Sequence, residues 1–287
     1  MTVAYKSTVD IGGAGFGSLL RAEWTKFRTV RGWTIGIAAA MLLTGLFGML
    51  PSDVCSNGNA PCASAPTGPD GEAVTDNFYF AHQPLAGNGS ITVRLTSLTG
   101  EYETHPVPVG QGQGQNMTPG IEPWSKGGIL ISASLRQGSA YAAMLATGGH
   151  GVRMQYDYVH DTAGLPGTAS PTSPRWLRLD RAGDTITGYD STDGREWTLV
   201  GTAVLTGLPA TVQVGMFATS PGHSVVTQSI SSSSAVGGPS LATATMDEVD
   251  VRGAGNTWTG DTVTDGQDGA QLPGRFQRAG GTFTVRG

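Results

Sequence analysis

The carboxylates of residues 246–252 are the first candidates for catalysis in this sequence. Glu248 and Asp250 occupy alternate positions of the run Met-Asp-Glu-Val-Asp-Val-Arg, which places them on one face of a strand. Retaining glycoside hydrolases need two carboxyl groups about 5 Å apart as nucleophile and acid/base. The next position on that face is Arg252, and Gly253 follows, so the run carries no third acid. We therefore interpret both acids as solvent-facing residues of a closing strand.

Other kinds of reactive site have weaker signals. His150 and His160 are separated by nine residues, and Asp157 and Asp161 between and beside them could bind Ca²⁺ together with loop carbonyls. Lone loop carboxylates are more often simply solvated. The sequence has no Gly-Lys dipeptide, so it has no P-loop, and no serine lies in a catalytic motif. We predict no catalytic residue, no metal site and no cofactor, and we expect that the chain is not an enzyme.

Four aromatic residues could stack on a sugar ring: Trp124, Tyr141, Tyr156 and Tyr158. The alternative is that these rings pack in the core.

The segment that would position the rest of the chain is residues 32–50, which contain no charged residue. As a helix, residues 33–50 would rise about 27 Å, close to the bilayer core of about 30 Å. A buried helix of a soluble domain and a cleaved signal peptide ending near residues 63–65 are alternatives. A retained membrane span is the prediction, with the lipid bilayer as its partner.

Small residues recur at every fourth position of this segment, at Gly32, Gly36, Ala40, Thr44 and Gly48. Such a strip lets another backbone approach closely, so it predicts packing against other membrane helices. The alternative is a composition bias, because the chain contains 44 glycines.

Charge predicts the orientation of the span. Residues 1–32 carry a net charge of +3, whereas the whole chain carries −5. Basic residues before a span favour a cytoplasmic N-terminus, so everything after Pro51 is expected outside the cell. Leu20, Trp24, Phe27 and Val30 form an apolar stripe with basic neighbours. This pattern predicts an amphipathic helix on the anionic membrane surface, and the alternative is a charged flank without fixed structure.

Cys55 and Cys62 follow the apolar segment and are the two cysteines of the chain. An oxidising compartment would allow them to form a disulfide, and two free thiols are the alternative.

The remaining chain predicts an all-β domain. Residues 51–75 are rich in proline and polar residues and read as a linker, and no basic run suggests a nucleic-acid partner. Short β-type runs follow, and Gly183-Asp184 and Asp193-Gly194 are suited to tight turns. The predicted strands are residues 77–81, 90–97, 128–135, 140–146, 152–158, 175–180, 185–191, 197–204, 211–219 and 242–252. Residues 100–123, 161–174 and 229–240 are predicted surface loops, and the last β-type run, residues 282–285, has no evident partner.

Residues 20–26, with Arg28, Thr29 and Arg31, followed by a Gly/Ala/Leu-rich segment, resemble the start of ABC-2-type ABC transporter permeases from GC-rich bacteria. In that family a short in-plane helix precedes the first span. The resemblance covers about a tenth of the chain. It implies further membrane helices and a separate ATPase subunit as partners.

A second resemblance covers about 170 residues. The runs around residues 127–135, 175–201, 212–220 and 242–251 resemble the concanavalin A-like lectin/glucanase jelly roll. The matching residues are Trp176, Leu177, Arg178, Gly183, Asp184, Tyr189, Ser191, Asp193, Gly194 and Trp197. The resemblance implies two sheets that bury most of Trp176, Leu177, Leu179, Ile186, Trp197, Val214 and Met216.

The expected organisation is a mainly β protein, with a concanavalin A-like sandwich attached to one N-terminal transmembrane helix. Residues 1–32 would be a cytoplasmic segment, 33–50 the span, 51–75 an extracellular linker, 76–253 the jelly roll and 254–287 a β-type tail leading to further membrane segments. The expected function is that of an ABC permease component in the cell membrane with an extracellular lectin-like domain. The alternative is a membrane-anchored module that binds a cell-surface glycan or another surface without a transport role.

Overall fold

A computed structural model describes residues 15–29, 31–48, 66–74, 77–104, 114, 116–228, 233–264 and 272–287. The chain divides into two compact units, Met1–Ala63 and Ser64–Gly287.

The first unit contains two helices, α1 (Phe16–Thr29) and α2 (Arg31–Gly48). Within the described part of the chain, neither helix has both the length and the apolar character that crossing a membrane requires. The predicted span over residues 33–50 is therefore not confirmed. The helix that forms there begins with Arg31 and includes glycines and threonines that dilute its apolar character.

The second unit is a mainly β sandwich, as predicted. Its strands are β1 (Phe78–Glu103), β2 (Met117–Pro119), β3 (Lys126–Ser132), β4 (Tyr141–Thr147), β5 (Val152–Tyr156), β6 (His160–Ala163), β7 (Arg175–Ala182), β8 (Thr185–Ser191), β9 (Thr198–Val204), β10 (Thr211–Thr219), β11 (His223–Gln228), β12 (Ser233–Gly238), β13 (Ser240–Ala254), β14 (Thr259–Val263), β15 (Arg275–Ala279) and β16 (Thr282–Arg286).

The sandwich consists of two sheets, and the long strand β1 contributes to both of them. Its first half pairs with β14 and β10, and β10 continues through β3, β4 and β5 to β6; we call these strands the front sheet. Its second half pairs with β13 and β7, followed by β16 and β15 on one side and β8 and β9 on the other; these strands are the back sheet. The register of β1 against β13 shifts between Leu85 and Ser90, and Gly87 has a φ of 69° there. This irregularity is where β1 passes from one sheet to the other.

The core lies between the two sheets. Ile129, Ile131 and Met144 of the front sheet and Leu177 and Leu179 of the back sheet are fully buried in one cluster. Of the predicted core residues, Leu177, Leu179, Ile186, Val214 and Met216 are buried. Trp176 and Trp197 are only partly buried, and Arg94 lies over the Trp176 ring at 5.8 Å.

The sandwich extends through the C-terminal residues. β16 pairs with β13, and Phe283 and Val285 belong to the main core cluster. β14 pairs with the first half of β1. Residues 282–285 thus have a partner that the sequence did not reveal, and the sandwich continues beyond residue 253. Residues 233–238, expected in a loop, form a hairpin with β11.

Candidate functional site

A cleft lies on the outer face of the front sheet, opposite the core. Its empty volume is about 690 Å³, including space open to solvent. The floor is a second apolar cluster in which Leu130, Ala143, Leu145 and Phe217 are buried. Leu130 lies between Ile129 and Ile131, which face the core, so β3 is apolar on both of its faces.

Polar side chains surround this floor. Lys126 Nζ donates a hydrogen bond to Gln155 Oε1 at 2.8 Å, so the first residue of β3 is tied to β5 across β4. Ser132 at the end of β3 donates to the carbonyl of Ser134 at 2.8 Å, which shapes the turn leading to Arg136. Among the described residues that line the cleft, Lys126 and Arg136 are cationic and none carries a carboxylate. The lining therefore favours an anionic or neutral ligand over a cationic one.

Aromatic rings lie in the cleft lining on both sides of β3. The Tyr141 and Tyr158 rings meet edge to face with centroids 4.9 Å apart, and the Tyr158 hydroxyl donates to the Ser139 carbonyl at 2.9 Å. Phe78 and Phe217 meet in the same way at 5.9 Å. Aromatic side chains around a few polar groups are typical of ligand sites.

The turn that carries Tyr158 is strained. Asp157 and Tyr158 have φ values of 43° and 62°, in the left-handed region that residues with a Cβ rarely adopt. The Asp157 carboxylate holds the turn by accepting a hydrogen bond from the Tyr141 N–H at 3.1 Å. Burial raises the pKa of the Asp157 carboxyl, and the nearby charges of Asp70 and Glu72 also raise it. The strained pair thus fixes an aromatic ring at the cleft.

The other aromatic residues considered as sugar-stacking candidates lie elsewhere. Trp124 is 42% exposed and stacks on His150 with ring centroids 4.0 Å apart. Tyr156 packs against the main core cluster and contacts His160 at 4.2 Å. The structure therefore places Tyr141 and Tyr158 in the cleft and not the other two.

Glu248 and Asp250 line one open cavity, which Arg278 and Thr282 also line. Glu248 has a φ of 48° at a register shift between β13 and β1, and this bulge exchanges the faces of β13, because Met246 is buried whereas Glu248 and Asp250 alternate on the exposed face. Glu248 and Asp250 are exposed. Asp247 accepts two hydrogen bonds from Arg94, at 2.6 and 2.7 Å.

Asp161 is paired with Arg153 at 2.5 Å. Together with the Tyr141 contact of Asp157, this gives both of the candidate Ca²⁺ ligands protein partners.

The small residues predicted to form a packing strip lie in α2. Gly32, Gly36, Ala40 and Thr44 lie in α2, where the Thr44 hydroxyl donates to the Ala40 carbonyl at 2.8 Å, and Gly48 is the last residue of the helix. Cys55 and Cys62 lie outside the described residues.

Sequence reasoning missed the cleft as a site, although a signal for it exists. Residues 129–131 and 142–146 are unbroken apolar runs, and such runs indicate strands that are covered on both faces. They could have located a second apolar surface outside the core. Lys126, Arg136 and Gln155 carried no signal of their own.

The sequence matches no family model and no curated protein. In structure, the chain is similar to a scytalido-glutamic peptidase with a transition state analogue inhibitor, at 7% identity and a TM-score of 0.42, over 73% of this chain and 97% of that one. It is also similar to a functionally unknown protein from Saccharomyces cerevisiae, at 16% identity and a TM-score of 0.34, over 66% and 81% of the two chains. A scytalido-glutamic peptidase with a peptide-based transition state analogue gives 6% identity and a TM-score of 0.33, over 74% and 98%.

These similarities correct one prediction. Scytalido-glutamic peptidase is an enzyme, and the expectation that the present chain is not an enzyme is therefore withdrawn. At such identities and TM-scores the similarity assigns neither a reaction nor a residue role to this chain.

Proposed function

We propose that the sandwich is a concanavalin A-like, lectin-like domain whose cleft binds a saccharide chain. The observation that carries the proposal is the combination, in one open cleft, of the Tyr141 and Tyr158 rings with hydroxyl, amide and cationic groups over an apolar floor. Aromatic faces pack against the apolar faces of sugar rings, while the polar groups satisfy sugar hydroxyls. In the cell this domain would face outwards, displaying the cleft to a cell-surface glycan.

The test is glycan binding by the full chain, purified in detergent micelles, on an array of cell-surface and cell-wall oligosaccharides. Tyr141→Ala removes a ring that lines the cleft and should weaken binding about tenfold, since an aromatic contact contributes about 1–1.5 kcal/mol. Tyr189→Ala is the matched control, because Tyr189 lies in β8 of the back sheet, under Arg178. No binding to any glycan, or equal losses in both variants, would refute the proposal.

A membrane role is a second candidate, and α1 favours it. Phe16, Leu20 and Trp24 recur at every fourth position and are 55–79% exposed, with Arg21 and Lys26 nearby on the same helix. We propose that α1 lies on the anionic surface of the cell membrane with the N-terminus cytoplasmic. The small-residue strip of α2 would then contact other membrane helices of an ABC-2-like permease, which a separate ATPase subunit would drive.

Vesicle binding separates this candidate from the first. The full chain should co-sediment more strongly with vesicles that contain an anionic lipid than with purely zwitterionic vesicles, and Trp24→Ala should weaken that binding severalfold. Leu199→Ala is the control, because Leu199 is similarly exposed but lies in β9 of the sandwich. Equal binding to both kinds of vesicle would contradict the membrane role, and failure to co-purify an ATPase subunit from cells would contradict the permease assignment.

A further inference from the structure

Among the described residues, the two charged side chains that line the cleft are both cations, Lys126 and Arg136. Arg136 is exposed at the turn between β3 and β4, and within the described residues no ion pair involves its guanidinium. Lys126 lies at the other end of the cleft lining, where it hydrogen-bonds Gln155. Asp157, Asp70 and Glu72 lie close to one another beside the Tyr158 turn but are not part of the cleft lining, and Asp157 accepts the Tyr141 N–H there.

From this arrangement we infer that the cleft selects an anionic saccharide whose charge is a carboxylate, such as a uronic acid chain. The inference rests on the proposed function and adds the substrate class. The planar guanidinium of Arg136 matches a carboxylate with two parallel hydrogen bonds, which is the geometry that arginine recognises best. Tyr158, held in place by its strained turn and by Ser139, supplies the ring against which the same sugar stacks. Lys126 adds a second positive charge for a neighbouring carboxylate of the chain.

A matched pair of ligands tests the charge. Oligogalacturonate and its methyl ester have the same sugar and the same length, and esterification replaces each carboxylate by a neutral methyl ester. The full chain in detergent micelles should bind the uronate at least tenfold more tightly in calorimetric titration. Added salt should reduce this preference, because exposed charges are screened.

Three variants locate the preference. Arg136→Gln should lower uronate affinity at least tenfold and leave the affinity for the methyl ester within twofold of wild type. Arg136→Lys keeps the positive charge but cannot donate two parallel hydrogen bonds to one carboxylate. This variant should retain only part of the preference for the uronate over the methyl ester. Arg195→Gln is the control, an exposed arginine in the turn between β8 and β9, and it should change neither affinity.

The outcomes distinguish this inference from the proposed function. Equal affinity for the uronate and the methyl ester would overturn the inference and leave saccharide binding standing. Failure of every glycan to bind would overturn both. Tighter binding of a sulfated saccharide of the same backbone would overturn the carboxylate assignment, and tighter binding of an oligoglutamate peptide would show that the cleft recognises an acidic peptide instead.

Discussion

The left-handed conformation of Tyr158 leads to a prediction that inverts the usual ranking of alanine and glycine. Tyr158 has a φ of 62°, where a Cβ atom costs about 1–2 kcal/mol. Tyr158→Ala and Tyr158→Gly both remove the ring and the hydrogen bond to Ser139, so these losses cancel when the two variants are compared. Glycine escapes the steric cost but loses about 0.4–1 kcal/mol through the larger entropy of its unfolded chain. We expect Tyr158→Gly to be more stable than Tyr158→Ala by about 0.5–1 kcal/mol.

The assay is thermal unfolding of the full chain, followed by near-UV circular dichroism. For a domain of this size, a difference of this magnitude raises the melting temperature by about 1–4 °C. The same pair of substitutions at Leu199 is the control, because Leu199 is exposed on β9 and has no positive φ. There the alanine variant should be the more stable one, since glycine weakens a strand. If the alanine variant is at least as stable as the glycine variant at both positions, Tyr158 is not in the left-handed region. The description of a strained turn at the cleft would then be wrong.

Two further substitutions test the sandwich. Burial raises the pKa of the Asp190 carboxyl, which accepts the Leu165 N–H at 2.6 Å; a raised folded-state pKa means that stability is lost as the pH rises through it. Asp190→Asn keeps an acceptor without the charge, so its melting temperature relative to wild type should increase as the pH rises above about 4, the ordinary pKa of an aspartate. A difference in melting temperature that does not change with pH would contradict a raised pKa for Asp190. Phe283→Ala should destabilise the sandwich by about 3–5 kcal/mol, because Phe283 is 2% exposed. The exposed-site variant Leu199→Ala is the control. If the two variants have melting temperatures equally close to that of wild type, β16 is not part of the core.

The strands could be predicted because their signals are local. Alternation in residues 175–180 and the glycine turn at Gly183 specify a hairpin, and the structure has that hairpin with a φ of 63° at Gly183. The pairing of β16 with β13 could not be read in this way. Their contacts join residues about 40 positions apart, and no local pattern in residues 282–285 identifies a partner.

The cleft was harder to predict for the same reason. Its cations, Lys126 and Arg136, are ten residues apart in sequence, and Gln155 comes from another strand. They line one cleft because β3, β4 and β5 are neighbours in the front sheet and because the cleft lies on the face away from the core. The acids at Glu248 and Asp250 gave a stronger sequence pattern, and both are exposed as expected. The bulge that turns this part of β13 outward depends on the pairing with β1 and was invisible from the strand alone.

Backbone strain connects the fold to the proposed site. Among the described residues other than glycine, positive φ values occur at Asp157, Tyr158 and Glu248. Each such residue costs of order 1–3 kcal/mol and persists only when its surroundings enforce it. The Glu248 strain is explained by the bulge opposite β1, so strain alone does not mark a ligand site. At Asp157 and Tyr158 two strained residues are adjacent, they are held by the Tyr141 N–H and the Ser139 carbonyl, and they present a ring to a cleft with an apolar floor. A relaxed turn with glycine would fold at lower cost but would carry no ring, and the proposed saccharide site gives a reason for a ring at this position.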